Sequence, residues 1–189
     1  AGVSVVAPWR NGQDVSLHEY QQFRFALFPQ CIGQAPELDN PAHLFALGEV
    51  LGQLHEVAAK KPFQHRGTLL LSEGVTEAEQ RVVTSPWLNN HQTRAYQNAV
   101  DKIRRQLETV HIPSASMIRT HGDCHLGNIL GRDETFTLVD FDDCLMAPAI
   151  QDIWMLLPME NPQLWRAQLS EMIEGYEETS PFPHQQMSL

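Results

Sequence analysis

The chain has 189 residues, 42% of them apolar, and a formal net charge of −10. That length holds one domain with a real core or at most two small ones, and the composition excludes disordered and fibrous classes. The acidic balance argues against general binding to nucleic acid or an anionic membrane, which need basic surface, although a local acidic site still recruits a nucleotide phosphate through Mg2+.

Residues 1–30 read as strands and turns. Val3, Val5 and Val6 precede Pro8, and Asn11-Gly12 marks a turn. Phe23, Phe25 and Leu27 alternate with Arg24 and Ala26, which predicts a strand with one buried face, stopped by Pro29. The stretch CIGQAPELDN reads as a linker, and the composition shifts near residue 35. Asn40 then supplies an N-cap and Pro41 a first helical residue. Leu44, Leu47, Leu51 and Leu54 fall on one helical face and read as core, with His55 and Glu56 at the surface or behind the site. Residues 60–87 are interrupted by Pro62, Gly67, Gly74 and Pro86 and read as irregular. Tyr96, Val100, Ile103 and Leu107 predict a second helix that begins near Asn89 or Asn90 and ends before Pro113.

Met117 and Ile118 lead into a loop over 119–128. Ile129-Leu130 and residues 135–139 predict two short strands joined by a turn at 131–134. Residues 151–157 read as a short buried helix stopped by Pro158, with Asp152 available as its cap. A last helix opens at Asn161-Pro162 and carries Leu164, Trp165, Leu169, Met172, Ile173 and Tyr176. Trp154 and Trp165 read as core anchors. Cys31, Cys124 and Cys144 are sparse and irregularly spaced, as small buried thiols in a reducing compartment are. No apolar run approaches membrane-spanning length. Strands, a linker, then mostly helices with one hairpin make an α+β arrangement.

The chemistry concentrates in residues 121–143, HGDCHLGNILGRDETFTLVDFDD. Phosphoryl transfer from a nucleotide needs a carboxylate to take the proton of an acceptor hydroxyl, and hard oxygen ligands for Mg2+ across the phosphates. Asp123, Asn128 and Asp140 are of the right type. A hairpin between Asn128 and Asp140 brings those two back to one end, and Asp123 stands on the same loop. His121 and His125 with the nearby cysteines suggest zinc only weakly, because the pair lies in a Gly-containing loop without a second ligand pair.

HGDxxxxN followed by an apolar strand ending in Asp resembles the catalytic and metal loops of the aminoglycoside-phosphotransferase and choline-kinase superfamily, relatives of protein kinases. The wider strings AGVSVVAP, LGQLH, APAIQDIWMLL and EGYEE are similar to a bacterial Ser/Thr protein kinase branch linked to stress response. The resemblance implies a protein-kinase-like α+β fold: the end of the small nucleotide lobe plus hinge over 1–34, then a mostly helical large lobe over 35–189. It implies ATP and Mg2+ as cofactors, a cytoplasmic location, and transfer of the γ-phosphoryl to Ser/Thr of a protein substrate. A small hydroxyl-bearing acceptor (an aminoglycoside, choline, another amino alcohol or a sugar) is the alternative, and a non-catalytic pseudokinase the alternative of another class. Carried over by position, Asp123 is the catalytic base, Asn128 and Asp140 hold the metal, His121 is structural, and Asp152 braces the catalytic loop. Backbone around Phe28 and Gln30 meets the adenine edge, with Leu130 and Val139 below the base. Two departures stand out. The metal loop reads Asp140-Phe141-Asp142 rather than D-F-G, and no Gly-rich loop or Lys precedes residue 28. The chain is therefore expected to be an internal piece of a larger enzyme, weakly active or inactive alone.

Overall fold

The computed structural model describes residues 2–132, 134–158 and 160–188. In chain order these form β1 (His18–Tyr20), β2 (Phe23–Phe25), α1 (Pro41–Ala58), α2 (Leu71–Val83), α3 (Asn90–Leu107), β3 (Met117–Thr120), β4 (Ile129–Arg132), β5 (Thr135–Leu138), β6 (Leu145–Pro148) and α4 (Pro162–Glu177).

The α1 helix starts as its sequence demands. The Asn40 side chain accepts the N–H of Ala42 at 3.0 Å, and Pro41 follows. Leu44, Leu47 and Leu51 are buried against Leu169, Met172 and Tyr176 of α4. Each such leucine contributes about 2 kcal/mol by leaving water. The two helices approach closely because small residues line the crossing. A Cβ at Gly175 would collide with the Phe45 carbonyl, and one at Gly48 with the Met172 carbonyl. The same core takes in Ile129, Phe136 and Leu138 of the β4–β5 hairpin, and Ile153 and Leu156.

That hairpin is antiparallel, with Ile129 opposite Leu138 and Arg132 opposite Thr135. Two earlier segments dock on it. Val6 N–H donates to Leu138 O at 3.3 Å and Leu138 N–H to Ser4 O at 3.0 Å. Gln34 and Gly131 exchange backbone hydrogen bonds of 3.0 and 2.6 Å. The linker thus lies flat on β4. A Cβ at Gly33 would stand 2.9 Å from Gly131 O, so only glycine allows the approach.

Several expectations are corrected. The strand read over Phe23 to Leu27 spans only Phe23–Phe25, and its aromatic residues are not buried: Phe23 is 63% exposed. It pairs with β1 alone, and among the described residues no second layer covers the pair. Residues 60–87 are not irregular throughout, because Leu71–Val83 forms α2. Leu71, Val75, Glu79 and Val82 make its half-buried face, which meets α3, and Glu79 pairs with Arg104. Gly74 and a face of only three apolar residues hide that periodicity. The expected loop over 119–128 begins later, since β3 continues to Thr120 and pairs with β6. β6 escapes a sequence reading because LMAP offers neither β-branched residues nor alternation, and it ends in Pro148. Residues 151–157 form no α-helix. Two 3-10 turns, Ala149–Asp152 and Trp154–Leu156, fill the interval between two prolines, which is too short to offset helix nucleation. Trp154 points outward and is no core anchor, whereas Trp165 packs on the core. Cys31 is exposed rather than buried.

Opposite effects are expected at two helical glycines. Gly175→Ala lowers stability by about 2 kcal/mol or more through overpacking. Gly74→Ala, with nothing within 4 Å of the added Cβ, raises it by about 0.5 kcal/mol. Urea unfolding midpoints of the two variants check both signs.

Candidate active site

β3, paired with β6, delivers the chain into residues 121–128, and one buried carboxylate orders the turn. The backbone N–H groups of His121 and Gly122 donate to Asp152 Oδ2 at 2.8 Å and Oδ1 at 2.9 Å. Both oxygens face the loop, so Asp152 does not cap its own turn. The same carboxylate receives His55 Nε2–H at 3.0 Å. His55 Nδ1 then accepts the Tyr176 hydroxyl, also at 3.0 Å. Burial pushes the Tyr176 hydroxyl well above its usual range, so it remains an O–H donor. His55, expected at the surface, is 2% exposed. Its place on the Leu44, Leu47, Leu51 stripe was the available signal, as was Tyr176 following Leu169 and Met172 on α4.

Gly122 has φ +88°, and a Cβ there would collide with the Asp143 carbonyl. The loop that holds Asp123 therefore packs directly on the loop after β5. Asn128 Nδ2 donates to Asp123 O at 2.9 Å and approaches Asp123 Oδ2 at 3.4 Å. Asn128 O accepts the N–H of Val139 at 3.0 Å, which brings Asp140 to within one residue of Asn128. His121 Nε2–H donates to Val139 O at 2.8 Å, and its ring meets that of Phe141 at 4.6 Å between centroids. Asp140 is thus held between two anchored neighbours, in a left-handed conformation with φ +61°. A non-glycine residue there costs on the order of 1 kcal/mol, which the flanking contacts impose.

His125 stands beside Asp123. Its Nδ1 accepts Gly127 N–H at 2.9 Å, so Nε2 carries the proton and faces Asp123 Oδ2 at 3.5 Å. A cavity of about 1330 Å³ borders the loop after β5, and Phe28, Leu130, Val139 and Asp140 are in its wall. Gln30 is not, although Phe28, Pro29 and Cys31 are. Asp123 and Asn128 also lie outside the wall, and Asn128 is tied to it through its bond to Val139.

Among the described residues no group of three or more His, Cys, Asp or Glu is arranged to hold a metal ion. Mg2+ keeps several waters or phosphate oxygens and takes one or two protein carboxylates, so a sparser donor set suits it. The Asn128 amide commits its nitrogen to Asp123 and leaves Oδ1 without a hydrogen bond among the described residues. The Asp140 carboxylate is exposed on the cavity wall, likewise without one. These two oxygen donors fit the ion.

Residues 1–185 match the family described as phosphotransferase enzyme family (APH). The serine/threonine protein kinase RdoA of Salmonella typhimurium is 37% identical over 188 residues, covering 99% of this chain and 56% of that protein. Stress response kinase A of Escherichia coli (strain K12) is 37% identical over the same coverage. The chain therefore spans about half the length of the curated relatives it matches. Among solved structures, the amicoumacin kinase hAmiN, in complex with AMP-PNP, Ca2+ and Ami, superposes with a TM-score of 0.73 at 20% identity. That match covers 97% of this chain and 59% of the kinase. The spectinomycin phosphotransferase APH(9)-Ia, in complex with ADP and spectinomycin, gives 0.70 at 18% identity over 93% and 59%. These likenesses establish a shared protein-kinase-like α+β fold.

Asp152→Asn places an amide NH2 against donors and is expected to cost about 3 kcal/mol, read from urea unfolding. A second prediction concerns pH. Burial pushes the Cys144 thiol up to about 11 from its ordinary 9. The folded thiol keeps its proton where the unfolded thiol has lost it, so this contribution is intact below pH 9 and is lost as pH rises toward about 11. Unfolding midpoints should fall across that window, and less steeply in Cys144→Ala.

Proposed function

Because this chain belongs to the phosphotransferase enzyme family, we propose that it carries the catalytic and metal loops of an ATP- and Mg2+-dependent kinase. The observation that carries this reading is that Asn128 meets Asp123 through its side-chain amide and Val139 through its backbone carbonyl, beside an Asp140 carboxylate that faces a cavity and has no hydrogen bond among the described residues. In the reaction, an acceptor hydroxyl oxygen bonds to the γ-phosphorus as the bond from that phosphorus to the bridging oxygen of ADP breaks. Asp123 takes the hydroxyl proton. Asn128 and Asp140 would hold Mg2+, which supplies charge neutralisation across the phosphates when bound. The loop backbone, fixed by Asp152, keeps Asp123 oriented, and positioning is the main source of rate in such chemistry. Phe28 and the backbone at Gln30 would meet the adenine, with Leu130 and Val139 beneath it. On this reading residues 1–34 end the nucleotide lobe and hinge, and 35–189 belong to the large lobe of a cytoplasmic enzyme.

For the acceptor we favour Ser/Thr of a protein in a bacterial stress response. Support comes from relatives named as a serine/threonine protein kinase and stress response kinase A, at 37% identity. A small-molecule acceptor is the second reading, favoured by fold neighbours named as kinases of amicoumacin and spectinomycin. A longer protein that contains this chain, assayed against a generic protein substrate and a panel of amino alcohols and aminoglycosides, separates the two.

Calorimetry on the 189-residue chain tests the site itself. ATP should bind more tightly with Mg2+ than without, and Asp140→Asn should erase that difference; an unchanged difference overturns the assignment. In the longer protein, Asp123→Asn should lower kcat by about 1000-fold while ATP affinity holds. The chain alone is expected to turn over weakly or not at all.

A further inference from the structure

Arg66 belongs to none of the motifs above, yet it reaches the loop that follows Asp140. It stands in the segment between α1 and α2, in the wall of the main cavity. Its Nη1 donates to the carbonyl oxygens of both Asp142 and Cys144, the latter at 3.5 Å. The intervening carbonyl, of Asp143, packs against Gly122 of the catalytic loop. Residues 142 and 143 form a turn, and this segment is held at two points: the Asp143 carbonyl against Gly122, and the carbonyls of Asp142 and Cys144 on Arg66.

The grip has a firm base. Next to Arg66, Gly67 O accepts Met146 N–H at 2.9 Å and Leu69 N–H donates to Met146 O at 2.8 Å, so this segment is stitched to β6. The guanidinium then folds back onto the loop that leads into β6. A planar guanidinium holds two carbonyls in fixed geometry, which a lysine ammonium on a flexible stem does not.

We propose that Arg66 is a positioning residue that fixes Asp140 relative to the catalytic loop by clamping the carbonyls of residues 142 and 144. The placement matters to metal binding only if the kinase reading above holds, so the test has two separate readouts. In the 189-residue chain without nucleotide, Arg66→Ala should speed amide hydrogen exchange at residues 141–145 by about tenfold, the scale of a charge-assisted bond, with α1 and α4 amides unchanged. In calorimetry, the ratio of ATP affinities with and without Mg2+ should fall by about tenfold in Arg66→Ala, and guanidinium ion should restore part of it. Arg66→Lys should fall between. Unchanged exchange at 141–145 overturns the clamp. Faster exchange with an intact Mg2+ gain overturns its positioning of Asp140. Faster exchange in a chain whose unsubstituted form gains nothing from Mg2+ supports the clamp and overturns the kinase reading instead.

Discussion

The structure depends on a carboxylate buried where a carboxylate is costly. Asp152 is fully enclosed, and three donors offset its desolvation: two backbone amides of the loop that holds Asp123, and the imidazole of His55. Since those amides belong to that loop, satisfying the charge and ordering the loop are one event. His55 ties the network to α1, and Tyr176 ties it to α4. The close α1–α4 crossing, which Gly48 and Gly175 permit, therefore sets where the loop of Asp123 stands.

A second constraint acts on the loop after β5. Val139 is bonded through its N–H to Asn128 and through its carbonyl to His121, and Phe141 meets the same imidazole at a tilt. The residue between them has little freedom, which explains a left-handed aspartate where an unconstrained chain would prefer glycine. His121 thus contributes twice: its backbone to Asp152 and its ring to the loop after β5. One buried histidine couples the loop of Asp123 to the loop of Asp140.

The acidic chain also concentrates arginine at one wall. Arg10, Arg66 and Arg119 all border the large cavity. Arg119 is occupied by the terminal carbonyls of α1, with Nη2 at 2.9 Å from Val57 O and Nε at 3.2 Å from Ala58 O, where a cation also opposes the helix dipole. Arg10 pairs with Asp14 at 2.9 Å. A net charge of −10 is therefore compatible with arginines at the wall of one cavity, because screening confines charge effects to about 10 Å.

Much was legible without coordinates. The caps at Asn40, Asn89 and Asn161, the leucine stripe of α1 and the β4–β5 hairpin all follow from local rules, since the groups involved lie within a few residues of one another. The nearness of Asp123, Asn128 and Asp140 was legible for a related reason: their spacing spans one loop and one hairpin. Other features were not. The exposure of the Phe23 strand, the pairing of β6, the fate of residues 151–157, the burial of His55 and the reach of Arg66 to residues 142 and 144 each depend on partners distant in sequence. Residue types, periodicity and capping determined which segments become helices and which side chains carry oxygen donors; the tertiary structure decided which of those side chains meet, because hydrogen bonds and packing across long sequence separations form only when the whole core closes.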